Sequence, residues 1–381
     1  MIKVGITGQA GFIGTHLFNF LTLKKEDIVI IPFNDSYFEN ENHLKAFCSG
    51  CDVIVHLAAM NRHIDPQIIY DTNLRLIKQL IGALEVTNSH PHLLFSSSTQ
   101  EEQDNLYGKS KHDGRLLFEQ WALRNNSSFT GVVIPNVFGP FGNPFYNSVV
   151  ATFCYQLTHN EQPKIVIDAN LQLIYVNELV DLFYQKILAP VEGSKTERFD
   201  VQYTSENKVS EILLMLETYK KAYFEGHCFP ELKSKFEINL FNTFRSYIDH
   251  STHYPVRLKK NTDQRGIFIE TIKTSLGGQF SFSTTLPGVT RGNHFHTMKI
   301  ERFIVIKGKA VIELRRMGTT EVLHFELNGE QPSFVDMPVW YTHNITNVGN
   351  EELITLFWIN EFFNPDDPDT YSEEVFPPCE L

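Results

Sequence analysis

Four residues near the C-terminal end of the chain have the types and spacing of a metal site. His294 and His296 stand two apart, so on a β-strand they face the same way. Glu301 follows shortly after, and His343 comes from a distant segment. Three imidazoles and one carboxylate suit a borderline divalent ion, zinc first, with iron, manganese and nickel also open. A second set could reduce a carbonyl. Tyr107 and Lys111 are four apart, hence on one face of a helix. A free phenol, with a pKa of about 10, keeps its proton at neutral pH but transfers it reluctantly. A neighbouring ammonium favours the phenolate and is expected to lower that pKa toward the working range. Ser98, last of Ser96-Ser97-Ser98, offers a hydroxyl to the same carbonyl oxygen.

These residues need elements to position them. In the first 190 or so residues, short apolar runs alternate with segments of helical length. Strands are predicted at Ile2–Thr7, Ile28–Phe33, Val53–Leu57, His92–Ser97, Phe129–Pro135 and Lys164–Ile167. That alternation is the mark of βαβ units and a parallel sheet. Thr7-Gly8-Gln9-Ala10-Gly11-Phe12-Ile13-Gly14 follows the first strand and opens a helix. Its glycines allow a tight turn and a close approach to a pyrophosphate, and the helix N-terminus favours the anion. The loop therefore predicts a dinucleotide cofactor. The second strand ends Ile31-Pro32-Phe33-Asn34-Asp35. Neither an acid for NAD nor an arginine for NADP sits at the strand end, and Asp35 comes slightly late, so the residues leave that choice open.

From about residue 199 to 247 the pattern turns helical, at Val209–Phe224 and Leu232–Ile248, as a cap on the first domain. Beyond Asp249–Tyr254, strands rich in β-branched and aromatic residues come at short intervals, which predicts a barrel or jelly roll. They are Gly266–Ile272, Gln279–Thr285, Phe303–Ile306, Ala310–Arg315, Glu321–Leu327, Ser333–Met337 and Leu353–Ile359. The tail from Asn364 reads as irregular.

A length of 381 residues suits two domains. The net charge of −12 argues against nucleic acid as a partner. Five cysteines without a disulfide framework fit a reducing cytoplasm, and Cys48-Ser49-Gly50-Cys51, a lone CxxC, reads as structural. Ile2–Ile6 reads as a strand rather than a leader, and no apolar run is long enough to span a membrane.

Four resemblances follow. The N-terminal part is similar to the extended short-chain dehydrogenase/reductases. The shared residues are the glycine loop, His56-Leu57-Ala58-Ala59, Asn73, and Pro135-Asn136-Val137-Phe138-Gly139-Pro140. That likeness implies an α/β Rossmann domain, Ser98, Tyr107 and Lys111 as catalytic residues, and a nucleotide-sugar substrate held by the cap. It also implies a cofactor held by Gly8, Gly11, Phe12, Ile13, Gly14, Leu57, Ala58, Ala59, Asn73, Tyr107, Lys111, Pro135 and Asn136. The C-terminal part resembles the cupins. Gly288, His294, His296, Glu301 and Gly308 fit the first cupin motif at every spacing, and Pro338 to Asn347 fit the second in part. Trp340 stands where glycine is usual.

Asp263-Gln264-Arg265-Gly266 and Val289-Thr290-Arg291-Gly292-Asn293-His294 resemble the signatures of cupin-type nucleoside-diphospho-4-keto-sugar epimerases. There a histidine in the place of His294 is the base, and the arginines hold diphosphate or sugar. A metal-bound imidazole nitrogen cannot also take a proton. His294 is read here as a ligand, which leaves Glu270, Lys273 or a metal-bound hydroxide as the base.

Nearly end to end, the chain resembles the bifunctional capsular-polysaccharide enzymes of the UDP-N-acetyl-L-fucosamine pathway. Asn147 to Tyr155 and Trp358-Ile359-Asn360-Glu361 add to the match. This family likeness implies a reductase domain with its cap at 1–250 and an all-β cupin epimerase domain at 251–381. It implies C3 epimerisation of a UDP-4-keto-6-deoxy-N-acetylhexosamine, then NADPH reduction at C4 to UDP-2-acetamido-2,6-dideoxy-L-talose. It further implies zinc, a homodimer, and Asn147, Arg265 and Arg291 as substrate contacts. The alternative is a reductase whose cupin only binds sugar or joins subunits.

Overall fold

The structure is a computed structural model that describes residues 1–189, 195–258, 260–263, 266–269, 271–274, 278–361, 364 and 366–377. Its described residues divide into two packed units: Met1–Thr152 with Ile165–Val209, and Phe153–Lys164 with Ser210–Leu381.

The first unit is a doubly wound α/β sheet. Strands β1 (Ile2–Thr7), β2 (Ile28–Ile31), β3 (Val53–His56), β4 (His92–Ser98) and β5 (Phe129–Ile134) run parallel, and Thr196–Asp200 adds a sixth at the far edge. The spatial order is β2-β1-β3-β4-β5 and then the sixth, so the chain reverses direction between β1 and β3. Ligands of such sheets bind at that switch point, beyond the carboxyl ends of the strands. β3 and β5 are buried along their whole length, as expected of strands covered by helices on both faces. On one face Val4, Ile6 and Leu17 join Leu179 and Phe183 of the helix Val176–Leu188. On the other, Ile54, Leu93 and Phe95 meet Phe118 and Trp121. Each such large apolar side chain contributes about 1.5–3 kcal/mol on burial.

The predicted strand at Lys164–Ile167 does not form; Val166 and Ile167 are exposed and the strand lies later, at Asn170–Tyr175. An apolar pair with no covering layer has nothing to gain from strand pairing there.

The second unit holds two five-stranded antiparallel sheets. One runs Val256–Arg257, Ser333–Met337, Glu301–Lys307, Leu353–Ile359, Gln279–Thr285. The other runs Val322–Asn328, Lys309–Arg316, Tyr341–Asn347, Thr290–Phe295, Tyr371–Ser372. Ile304, Phe334 and Leu353 of the first share a core with Ile312, Leu314 and Ile345 of the second. This is the sandwich of a cupin.

The helical segment after Val209, expected as a cap on the first domain, packs within this second unit. Buried polar groups tie it there. Tyr223 donates to Asp336, and its hydroxyl also meets that of Tyr254 at 2.7 Å. Arg302 grips Asp336 with two nitrogens, at 2.7 and 3.0 Å. The tail read as irregular is also ordered in part: Tyr371–Ser372 pairs with Thr290–Phe295.

Candidate active sites

The cleft of the first unit has a volume of about 890 Å3 and opens at the switch point. Gly8 follows β1 with φ +69, and a Cβ there would lie 2.6 Å from the Ala58 nitrogen. At Gly14 a Cβ would meet the Gly8 carbonyl at 2.2 Å, so the helix α1 (Phe12–Thr22) seats on the turn only because both are glycine. Gly11 is the N-cap and offers no side-chain cap. The first amides of α1 have no partner within the helix, and Gly11, Phe12, Ile13 and Gly14 line the cleft. This is a cradle shaped for a pyrophosphate. Leu57, Ala58 and Ala59 form the opposite lip, with Pro135 and Asn136 further along.

After α2 (Glu41–Gly50), helix α3 (Pro66–Thr87) buries Asn73, which serves the cleft from behind. Its amide takes the Met60 N–H at 2.7 Å and donates to the Met60 carbonyl and to Ser110. It thereby joins the loop after β3 to helix α4 (Leu106–Arg124), which carries Tyr107 and Lys111.

Tyr107, Lys111 and Ser98 all line the cleft. The Lys111 Nζ lies 5.8 Å from the centre of the Tyr107 ring and donates to the Ser96 carbonyl at 2.9 Å. Burial lowers the Lys111 pKa to about 8. The expected lowering of the Tyr107 pKa does not occur in the free chain; burial, then the neighbouring Tyr146, raises it to about 12. The ammonium sits beside the ring and is itself bound to a carbonyl, so desolvation outweighs it. The phenol is thus held protonated, the state a proton donor requires.

The three serines have separate roles. Ser96 donates to the His56 carbonyl and Ser97 to Glu101 at 2.6 Å. Ser98 accepts from the Gln100 amide at 3.2 Å and keeps its own hydrogen for the cleft. Glu101 is fixed in turn by Arg115 and Arg198. Two cleft residues, Arg62 and Tyr146, escaped the sequence reading, whereas Asn147 was expected there. Arg62 donates to the carbonyls of Phe145 and Tyr146, at 2.5 and 2.9 Å, and so sets Tyr146 near Tyr107. Asn147 is exposed on the same wall and reaches the Asn61 carbonyl at 3.5 Å.

In the second unit the four predicted ligands converge. His294, His296, Glu301 and His343 each present one ligand atom, all within 4.8 Å of one another. A bulge between Gly292 and His294 sets His294 directly across from His343. Glu301 opens the neighbouring strand, and its Oε2 lies 3.3 Å from His296 Nε2 and 3.1 Å from His343 Nε2. These three atoms are buried and none completes a hydrogen bond. Burial favours a neutral Glu301, but the His296 and His343 imidazoles beside it hold its pKa well below the carboxylate range. Buried atoms converging without hydrogen bonds are what a metal would satisfy.

The far nitrogens are bound: His343 Nδ1 meets the Tyr341 carbonyl at 3.2 Å and His296 Nδ1 the Asp369 carbonyl. Such partners fix the tautomer and aim Nε2 inward. Asp369 was also missed by the sequence reading. Its carboxylate accepts from the Thr297, Met298 and Lys299 amides and the Thr297 hydroxyl. Trp340, the departure from the glycine motif, takes φ +62 and is held by its amide on the His296 carbonyl and by stacking on Phe295. Arg291 is exposed and tied to Thr285 and Thr284. Arg265 and Glu270 lie outside the described residues, and Lys273 is placed only as part of the short strand Lys273–Thr274.

Cys48 and Cys51 are buried, and burial pushes both thiols up to about 12. The pair is packing, not redox chemistry.

A Rossmann-type cleft with a Tyr-x-x-x-Lys helix, in one chain with a cupin that gathers three histidines and a glutamate, defines a two-part oxidoreductase class. The chain belongs to the NAD dependent epimerase/dehydratase family, which it matches over residues 4–201, and residues 261–371 match a polysaccharide biosynthesis C-terminal domain. It is 33% identical over 380 residues to UDP-2-acetamido-2,6-beta-L-arabino-hexul-4-ose reductase of Pseudomonas aeruginosa, covering 98% of this chain and 99% of that one. Among solved structures it is similar to the capsular polysaccharide assembling protein CapF from Staphylococcus aureus, at 34% identity and TM-score 0.61, over 98% of this chain and 100% of that one. CapF with the inhibitor 3-isopropenyl-tropolone matches at 32% identity and TM-score 0.58, with the same coverage. No helix among the described residues is long and apolar enough to cross a membrane.

Proposed function

We propose that this chain acts twice on one nucleotide-sugar ketone. The cupin part epimerises a UDP-4-keto-6-deoxy-N-acetylhexosamine at C3, and the reductase part then reduces the C4 ketone to UDP-2-acetamido-2,6-dideoxy-L-talose. The observation that carries this reading is the presence of two assembled sites in one chain that aligns end to end with a 4-ketose reductase. The order follows from chemistry. The C4 ketone makes the C3 proton acidic, because the resulting anion spreads onto oxygen; reduction removes that acidity and fixes the configuration.

In the cupin, His294, His296, Glu301 and His343 fit a divalent ion, zinc first, which would supply positive charge at the ketone oxygen. Arg291 and Arg265 would hold diphosphate or sugar, as the family likeness implies. In the cleft, a nicotinamide cofactor would supply hydride. Tyr107 gives its phenolic proton to the C4 oxygen as carbon gains hydride, Ser98 donates a hydrogen bond to the same oxygen, and Lys111 offers positive charge to the phenol as it ionises. Asn147 lies on the cleft wall where the sugar would sit. Free buried thiols suit a reducing cytoplasm, and the family likeness supports a homodimer.

The test is one incubation of UDP-4-keto-6-deoxy-N-acetylhexosamine with reduced cofactor in D2O. The expected product carries deuterium at C3 and a hydroxyl at C4. Reduction without deuterium at C3 would leave the cupin as a binding or dimerisation module.

A further inference from the structure

The cleft carries negative charge where β2 ends. Past Ile31 the chain runs through Pro32, Phe33 and Asn34 into a short 3-10 helix, Asp35–Glu39. The Asn34 side chain accepts from the Ser36 amide at 3.0 Å, which fixes Asp35 as the first residue of that turn. Asp35 and Glu39 are both exposed, both line the cleft, and are separated there by the buried ring of Phe38. Asp35 falls about twenty residues beyond the last glycine of the loop, the distance at which a dinucleotide fold meets the adenosine ribose. Of the cations that line the cleft, Arg62 and Lys111 donate to the carbonyls of Phe145, Tyr146 and Ser96, and Arg75 of α3 is the one linked to the Phe38 segment. Its Nη1 donates to Gln79 at 3.1 Å, and Gln79 donates to the Phe38 carbonyl at 2.8 Å, so the guanidinium is held along its own helix.

A ribose with free 2′ and 3′ hydroxyls donates hydrogen bonds, and a carboxylate accepts them. A 2′-phosphate brings close to two further negative charges and no donor of comparable use. Against Asp35 and Glu39 it meets like charge, with one tethered guanidinium to offset two carboxylates. The family likeness implies NADPH; the residues of this cleft oppose it. We infer that this chain takes NADH in preference to NADPH, and that Asp35 selects it. The inference rests on the reading of the cleft as a nicotinamide site.

The experiment is a binding titration of the purified full chain with NADH and with NADPH, followed by nicotinamide fluorescence and requiring no turnover. NADH is expected to bind roughly tenfold tighter or more. Asp35→Asn, nearly isosteric at an exposed position, should narrow that gap by strengthening NADPH more than NADH, and Glu39→Gln should narrow it less. Equal or tighter binding of NADPH by the unaltered chain overturns the inference. A gap that survives Asp35→Asn overturns the role of Asp35. Failure of both nucleotides to bind overturns the cofactor reading itself, an outcome distinct from the other two.

Discussion

The two sites are built in opposite ways. The cleft is open, and its reactive groups come from one helix turn and the ends of parallel strands. The cupin cluster is closed: its ligand atoms converge from separate strands within 4.8 Å, three of them buried without a completed hydrogen bond. The cleft is therefore a surface with room for large ligands. The cluster is preorganised around a single point, and its geometry is held from outside by carbonyls and by Asp369. A nucleophile or proton donor on an open wall can be tuned by what binds beside it; a ligand set must be right beforehand.

Breaking each site separately is the strongest test of that contrast. Tyr107→Phe should lower reduction by roughly a hundred- to ten-thousandfold and leave C3 exchange intact, as read by cofactor absorbance and by NMR in D2O. Loss of both would mean that the sites are not independent. In the cupin, His343→Ala should remove bound metal while nucleotide titration of the cleft is unchanged; elemental analysis decides it.

Subtler changes sharpen the comparison. Asp369→Ala frees the turn whose carbonyl orients His296, and metal affinity should fall roughly ten- to a hundredfold, measured by competition with a chelator. An unchanged affinity would reduce Asp369 to a structural role. In the cleft, Lys111 has its pKa lowered to about 8. It is charged below that value and neutral above it, so reduction should fall severalfold as pH rises through about 8. A flat profile there would show that the ammonium is not needed. Smallest of all, Cys51→Ala should cost only about 1 kcal/mol of stability by thermal unfolding and leave both activities alone.

The same contrast explains what was legible in the sequence. Tyr107 and Lys111, and the glycine loop, are local patterns, so helix geometry alone places them. The four residues of the cupin cluster were legible by spacing, although the strands that carry two of them, Thr290–Phe295 and Tyr341–Asn347, were not predicted. Both are rich in polar residues, and a bulge at Gly292/His294 breaks the alternation of the first. Asp369 was out of reach: it acts through a backbone carbonyl across a separation of 73 residues, from a tail that reads as irregular. The Tyr107 pKa was read in the wrong direction because four-residue spacing reveals a neighbouring lysine but not the burial that outweighs it. The helices after Val209 pack within the second unit through contacts that spacing does not reveal, such as Tyr223 on Asp336 and Phe229 stacked on Trp358.

The central claim is that one ketone passes through both sites, and it is tested most directly with Tyr107→Phe in D2O, given UDP-4-keto-6-deoxy-N-acetylhexosamine and reduced cofactor. The account predicts deuterium at C3 of a sugar that keeps its ketone, with no cofactor consumed. A sugar recovered without deuterium, from protein that still holds its metal, would contradict it.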